Sequence, residues 1–150
     1  MNSQLVGAAG VFHVAAELSM RGLVALPSIR NVKGADILVA DPDGKRFAFL
    51  QVKTSKSKVT FWPISERAGE WVGPNCYYAF VRRVGNQFEV FLERAKVVAE
   101  ESAASDQAAA QRGNKKWAPC WAIRGQGVPD GVEERARRQW EEFNLGKDGR

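Results

Sequence analysis

A carboxylate, a primary amide and an ammonium stand within one stretch of this chain, Gly34–Ser55, and strand geometry draws them together. Arg46–Lys53 alternates, so Phe47, Phe49, Gln51 and Lys53 share one face of a strand and Ala48, Leu50 and Val52 the other. Ala35–Ala40 is apolar apart from Asp36 at its start. Asp41-Pro42-Asp43-Gly44 between the two runs is a turn sequence, with Pro setting φ and Gly free to take positive φ. In an antiparallel hairpin the start of the first strand lies beside the end of the second, so Asp36 is expected beside Gln51 and Lys53 at one end of an apolar core. The surrounding charge says what such a group could meet. Between Arg30 and Lys58 there are seven basic residues (Arg30, Lys33, Lys45, Arg46, Lys53, Lys56, Lys58) against three acids (Asp36, Asp41, Asp43). A basic excess gathered there suits a phosphate-backbone partner; by charge alone it is equally a solvated basic face. Lys33, Lys56 and Lys58 are the first candidates for phosphate contacts, with Arg30, Thr54 and Ser55 beside them.

The elements that must position these residues follow from periodicity. Gly7 to Met20 reads as a helix, with Val11, Val14, Ala15 and Leu18 on one stripe. Arg21-Gly22 ends it, Gly acting as the cap. Leu23–Leu26 is a short apolar strand, and 30–34 is a basic loop into Asp36. After the hairpin, Thr54–Lys58 reads as a polar loop and Phe61–Ile64 as a strand, with Pro63 at its edge or end. Ser65–Pro74 is irregular or one helical turn. Cys76–Arg82 is a strong strand, aromatic and β-branched; Gly85-Asn86 turns it into Phe88–Leu92, expected as the last strand. Arg94–Glu101 begins a helix. Ser102–Lys116 has little to bury, so it reads as a marginal exposed helix or a loop. Trp117–Ile123 carries two tryptophans for the core. Val132–Phe143 is a final helix, with Val132, Ala136, Trp140 and Phe143 on one face and Glu133, Arg135, Arg137 and Glu141 on the other; 144–150 is a polar tail. This order argues for an α/β or α+β fold, a central mixed sheet flanked by helices, in a single domain of 150 residues.

Composition closes several routes. The net charge is +5 and the pI about 9.5, moderately basic. His13 is the only histidine, and Cys76 and Cys120 lack ligand spacing, which argues against zinc and for two reduced thiols in a cytoplasmic protein. His13 falls opposite Val11, where a solvent-facing structural role is the simplest reading. No apolar run approaches the ~20 residues of a membrane span. The first residues lack the basic start of a signal peptide. There is no phosphate-cradling Gly-rich loop and no Ser/His/Asp arrangement.

Asp36 on one strand and Gln51-Val52-Lys53 on the next resemble the PD-(D/E)XK nuclease signature: Asp, then an acidic residue, any residue, and Lys. More narrowly, 10–22, 30–39 and Gln51–Ser55 are similar to a group of small bacterial endonuclease-like proteins, in which a helix G-E-x-x-V-A-A-E-L-x-x-R-G leads to a G-x-D-I-L-V strand and a QVKTS strand. The resemblance implies a restriction-endonuclease-like core, DNA as partner, a possible homodimer, and Mg²⁺ or Mn²⁺ held by Asp36 and Gln51. Such a metal lowers the pKa of a bound water and screens the phosphate, while Lys53 serves the attacking water. Two positions depart from the pattern. Gln51 stands where a carboxylate is usual, and the first-helix Glu falls at Val11. Glu17, six residues on, is about 600° around the helix and on another face.

Three functions stay open on the sequence: a metal-dependent endonuclease, a degenerate nuclease fold that binds nucleic acid uncut, and a protein-interaction module. Asp36 could merely start a strand and Lys53 merely snorkel from one. Trp62, Trp71 and Trp117 could stack on bases or fill the core.

Overall fold

The computed structural model describes residues 2–28, 34–114 and 118–145. Helix α1 (Ser3–Met20) is capped by Asn2, whose side chain accepts the Gln4 N–H at 2.9 Å. Gly22 stops it at φ +83, and Leu23 N–H reaches back to the Leu18 carbonyl. Strands β1 (Val24–Pro27), β2 (Ile37–Ala40) and β3 (Phe47–Ser55) follow as an antiparallel meander. At the β2–β3 turn the Asp41 carboxylate accepts the backbone N–H of Lys45 at 2.7 Å and of Arg46 at 3.1 Å, and Gly44 takes φ +66. The bond from Arg46 leads the causes that hold the Asp41 carboxyl below its ordinary pKa. The chain then crosses through β4 (Phe61–Pro63) and a 3-10 turn (Ala68–Glu70) into β5 (Cys76–Val84), which lies parallel to β3. Strand β6 (Gln87–Arg94) returns antiparallel to β5, completing a five-stranded mixed sheet in the order β1-β2-β3-β5-β6. Helix α2 (Ala95–Gln111), strand β7 (Cys120–Ala122) and helix α3 (Val132–Glu142) finish the described chain. The expected mixed sheet flanked by helices is therefore the fold.

The alternation of β3 splits the core in two. Ala48, Leu50 and Val52 pack with Val14 and Leu18 of α1 on one sheet face. Phe49 joins Tyr78, Phe80, Phe91, Trp62 and Trp121 on the other, under α2 and the β4–β7 ribbon. Helix α3 packs along β6 and serves both cores, with Trp140 in the first and Val132 and Ala136 in the second.

Several expectations are corrected. Phe88–Leu92 is not the last strand, because Cys120–Ala122 pairs with Phe61–Pro63. Of the two readings of 102–116 the helix holds over Ser102–Gln111, which continues α2, but it is not wholly exposed: Ser102 and Ala109 are buried and the Ser102 hydroxyl donates to the Val98 carbonyl at 2.7 Å. Thr54 and Ser55 end β3 rather than opening a loop. Glu133, placed by periodicity on the outer face of α3, is buried. His13 is half-buried, with its ring 5.1 Å from Phe88 and Nε2 2.9 Å from Glu17. Trp62 and Trp121 are core residues; Trp117 lies outside the described residues.

Candidate functional site

The β2–β3 ladder begins one residue after Asp36. Its first pair is Ile37 opposite Leu50, so continuing the register sets Asp36 opposite Gln51. Backbone bonds hold Asp36 from both sides: its N–H donates to the Leu50 carbonyl at 2.8 Å, and its carbonyl accepts the Ser28 N–H at 2.8 Å. The carboxylate is fixed as well. Oδ2 accepts the backbone N–H of Val52 at 2.7 Å. Val52 sits between Gln51 and Lys53, so this bond seats the carboxylate beside the strand segment that carries both polar side chains. Asp36, Gln51 and Lys53 are all half-buried.

What these groups do not do is equally informative. Gln51 and Lys53 make no side-chain hydrogen bond or ion pair among the described residues, and Asp36 has no cationic partner there. Neither side chain has a buried polar atom without a partner, so both reach solvent and are free to exchange water for a ligand. The donor types allow it: Gln51 offers one acceptor oxygen and an NH₂, Lys53 three N–H donors, and Asp36 a second oxygen beyond the one bonded to Val52.

Aromatic residues wall this group. Gln51 is in register with Tyr78 on β5, and Lys53 with Phe80. Tyr78 and Phe80 stack at 5.5 Å between centroids, and Trp71 meets Tyr78 edge-on at 5.3 Å. Trp71 also lies over Gly34, where an added Cβ would come within 2.9 Å of its ring; Gly34 takes φ +83. Tyr78 is buried, its hydroxyl has no hydrogen-bond partner among the described residues, and burial pushes its pKa up. Sequence reasoning read Tyr78 only as a strand residue. The signal that finds it is its parallel register with Gln51, which needs the β3–β5 pairing.

The expected nucleic-acid contacts separate. Arg30 and Lys33 lie outside the described residues. Thr54 points to the opposite sheet face, and its hydroxyl is buried against Gly10 of α1. Ser55 caps a turn, its Oγ accepting the Ser57 N–H at 3.3 Å, and Lys56 is exposed. Lys58 lines a cleft with Arg82, Glu89, Arg124, Glu133 and Arg137.

The first-helix acid has a structural task. Glu17 accepts the Trp140 indole N–H at 3.0 Å, pairs with Arg21 at 3.3 Å and faces His13, so it ties α1 to α3. No group of three or more His, Cys, Asp or Glu side chains among the described residues is arranged to hold a metal.

No protein-family model and no curated protein matches the chain. Among solved structures it is similar to a bacterial homing endonuclease, I-Ssp6803I, at 16% sequence identity over 64% of this chain and 67% of that chain, with a TM-score of 0.43. A likeness of that size carries no argument about the site.

Proposed function

We propose that the chain is a metal-dependent endonuclease acting on DNA phosphodiester bonds, with Asp36, Gln51 and Lys53 as its site. One observation carries the reading: a carboxylate pinned at 2.7 Å to the Val52 N–H, flanked along the strand by an amide and an ammonium that no described residue answers. The donor set fits Mg²⁺ or Mn²⁺ shared with substrate. Mg²⁺ is commonly held by one or two carboxylates plus substrate phosphates. Asp36 would supply one carboxylate and Gln51 Oε1 a neutral oxygen, with the substrate phosphate and water as the remaining ligands. When bound, the metal supplies a bound water of lowered pKa and screening of the phosphate charge.

The chain's own groups do the rest. The Val52 N–H orients Asp36 and leaves its other oxygen for the ligand. Lys53 Nζ donates to a phosphate oxygen or to the attacking water and stabilises the negative charge that grows in the transition state. Lys56 adds a phosphate contact on the strand exit.

The test is cleavage of plasmid and branched DNA with Mg²⁺ or Mn²⁺. Metal-dependent cutting that EDTA stops, and that Lys53→Ala lowers about 100-fold, is the expected result. Cutting that survives Lys53→Ala rejects this site. A second reading, DNA binding without hydrolysis, is favoured by the single carboxylate. It predicts retarded DNA at low salt, steep loss of binding with added salt, and no cutting with either metal.

A further inference from the structure

A cleft of about 330 Å³ opens between the end of β5, the β6 strand and helix α3. Its charges do not balance. Four cations, Lys58, Arg82, Arg124 and Arg137, line it against two carboxylates, Glu89 and Glu133. Arg82 and Arg137 already answer both carboxylates. Glu89 lies 2.6 Å from Arg82 and 3.6 Å from Arg137, and Glu133 lies 3.6 Å and 3.3 Å from the same two. Arg124 and Lys58 therefore add charge that the packing does not need. Arg124 pairs with Glu133 through Nε, yet it is 69% exposed and its two terminal nitrogens have no partner among the described residues. Lys58 is exposed and makes no hydrogen bond or ion pair there. We infer that this cleft binds a phosphate group, as a subsite separate from Asp36, Gln51 and Lys53.

Three observations favour that ligand. The first is the donor set. A guanidinium offers five N–H donors in a planar fork that matches phosphate oxygens. Arg82, only 4% exposed, is held in place by Nε on Glu89 and by Nη1 on the Val59 carbonyl at 2.9 Å. Arg124 and Arg137 are more open and keep donors that no carboxylate uses, and the surplus of positive charge draws an anion and repels a metal ion. The second is the lining. Besides the six charged residues only Thr60 lines the cleft, so it lacks the apolar or aromatic anchor pocket that a bound peptide fills. The third is position, and it favours a nucleic-acid backbone as the source of the phosphate. Strand β5 runs parallel to β3, and Arg82 stands opposite Ser55, two residues on from the Lys53–Phe80 pair. Arg82 and Lys53 thus share a sheet face, with ~8 Å between their Cα atoms at ~3.3 Å per residue and ~4.8 Å per strand. At ~3.4 Å of rise per nucleotide, one strand of DNA reaches both within a few nucleotides. Lys56 and Lys58 carry positive charge along the segment that leaves β3. The subsite draws on the DNA partner proposed above, not on hydrolysis at Asp36.

The test is DNA affinity of the full chain in EDTA, read by anisotropy of a fluorescein-labelled duplex. The cleft variant combines Lys58→Ala with Arg124→Ala. The control combines Lys45→Ala with Lys96→Ala, which removes the same charge from two exposed lysines that do not line the cleft. Affinity about 10-fold lower in the cleft variant, with a log–log salt slope shallower by about 1, and a control close to wild type are the expected results. Lys58→Ala alone breaks no pair and should still weaken binding about 3-fold, which covers the case of a double variant that does not fold. Inorganic phosphate separates the two sources. If it raises the melting temperature of wild type above that in chloride of equal ionic strength, spares the cleft variant, and DNA binds both alike, the phosphate is a free anion and the cleft still holds it. A control that loses as much affinity as the cleft variant, or a cleft variant that matches wild type with both DNA and inorganic phosphate, overturns the inference. The cutting assay keeps this apart from the nuclease reading. Wild type that cuts, beside a cleft variant matching it with both ligands, rejects the cleft alone; a chain that never cuts, yet loses affinity in the cleft variant, rejects hydrolysis alone.

Discussion

Strands β3 and β6 send polar side chains to the same face of one sheet, separated only by β5, and treat them in opposite ways. On β6, Glu93 is 2% exposed and accepts from the Arg94 backbone N–H at 2.9 Å, Arg135 at 2.7 Å and Gln139 at 3.1 Å. Glu89 accepts from the buried Arg82 at 2.6 Å, and Glu133 of α3 is answered by Arg82, Arg124 and Arg137. Arg82 and Arg137 also flank the Phe91 ring at 5.0 and 4.9 Å. On β3, Gln51 and Lys53 have no such answer among the described residues. Charges that must hold a helix against a sheet are saturated by their neighbours, because an unpaired buried charge costs several kcal/mol. Polar groups left half-buried and without a protein partner do not serve packing, and that difference leaves Gln51 and Lys53 of β3 available to a ligand.

The contrast predicts a graded series of variants. Glu93→Ala removes the shared acceptor of Arg135, Gln139 and the Arg94 N–H, and should cost about 3 kcal/mol in urea unfolding. An unchanged midpoint would remove the distinction between the strands. Gly10→Ala tests the other sheet face, where a Cβ would run into the Thr54 hydroxyl and come within 2.9 Å of its Cβ. Overpacking there should cost about 2 kcal/mol, partly restored by Thr54→Ala in a double-mutant cycle.

The Glu89 carboxylate gives a smaller, pH-dependent effect. Burial pushes its pKa up, but the hydrogen bond from Arg82 and the charges of Arg82, Arg137 and Lys58 outweigh that and hold it below its ordinary value of 4.5. A depressed folded pKa stabilises fully above the unfolded value, and that stability is lost as pH falls through the folded one. The gap in unfolding free energy between wild type and Glu89→Gln, up to about 1 kcal/mol at pH 7, should therefore shrink as pH falls below that ordinary value. A gap that persists in acid would contradict the Arg82 pairing. Lys53→Ala should change stability least, within about 0.5 kcal/mol, even though it is expected to lower cutting about 100-fold. A loss of several kcal/mol would turn Lys53 into a structural residue.

The β2–β3 hairpin was legible because everything that forms it is local. The Asp41–Gly44 turn chemistry, the period-2 alternation and the antiparallel rule together set Asp36 opposite Gln51. The Val52 N–H that pins Asp36 was not legible, because alternation ranks side chains and says nothing of which backbone donor a carboxylate reaches. Long-range partners were missed for a related reason. Glu133 has the periodicity of an outer-face residue; Arg82, about 50 residues earlier in a strand, together with Arg124 and Arg137, makes its burial tolerable. Strand β7 is three residues long and exists by pairing with Phe61–Pro63, so no local pattern announces it. Composition leaves 102–116 open between an exposed helix and a loop because alanines carry little hydrophobic signal, yet small residues are what a close contact with the 3-10 turn and β7 requires.

Cleavage of supercoiled plasmid by Asp36→Asn, with Mn²⁺ and beside wild type, tests the central claim most directly. Asn keeps a side-chain oxygen to accept the Val52 N–H and loses only the charge, so the fold is held while the chemistry is changed. The account predicts metal-dependent cutting by wild type, lowered at least about 100-fold in the variant, with the urea midpoint within about 0.5 kcal/mol of wild type. Cutting at the wild-type rate by Asp36→Asn, or a loss of cutting that only follows unfolding, would contradict it.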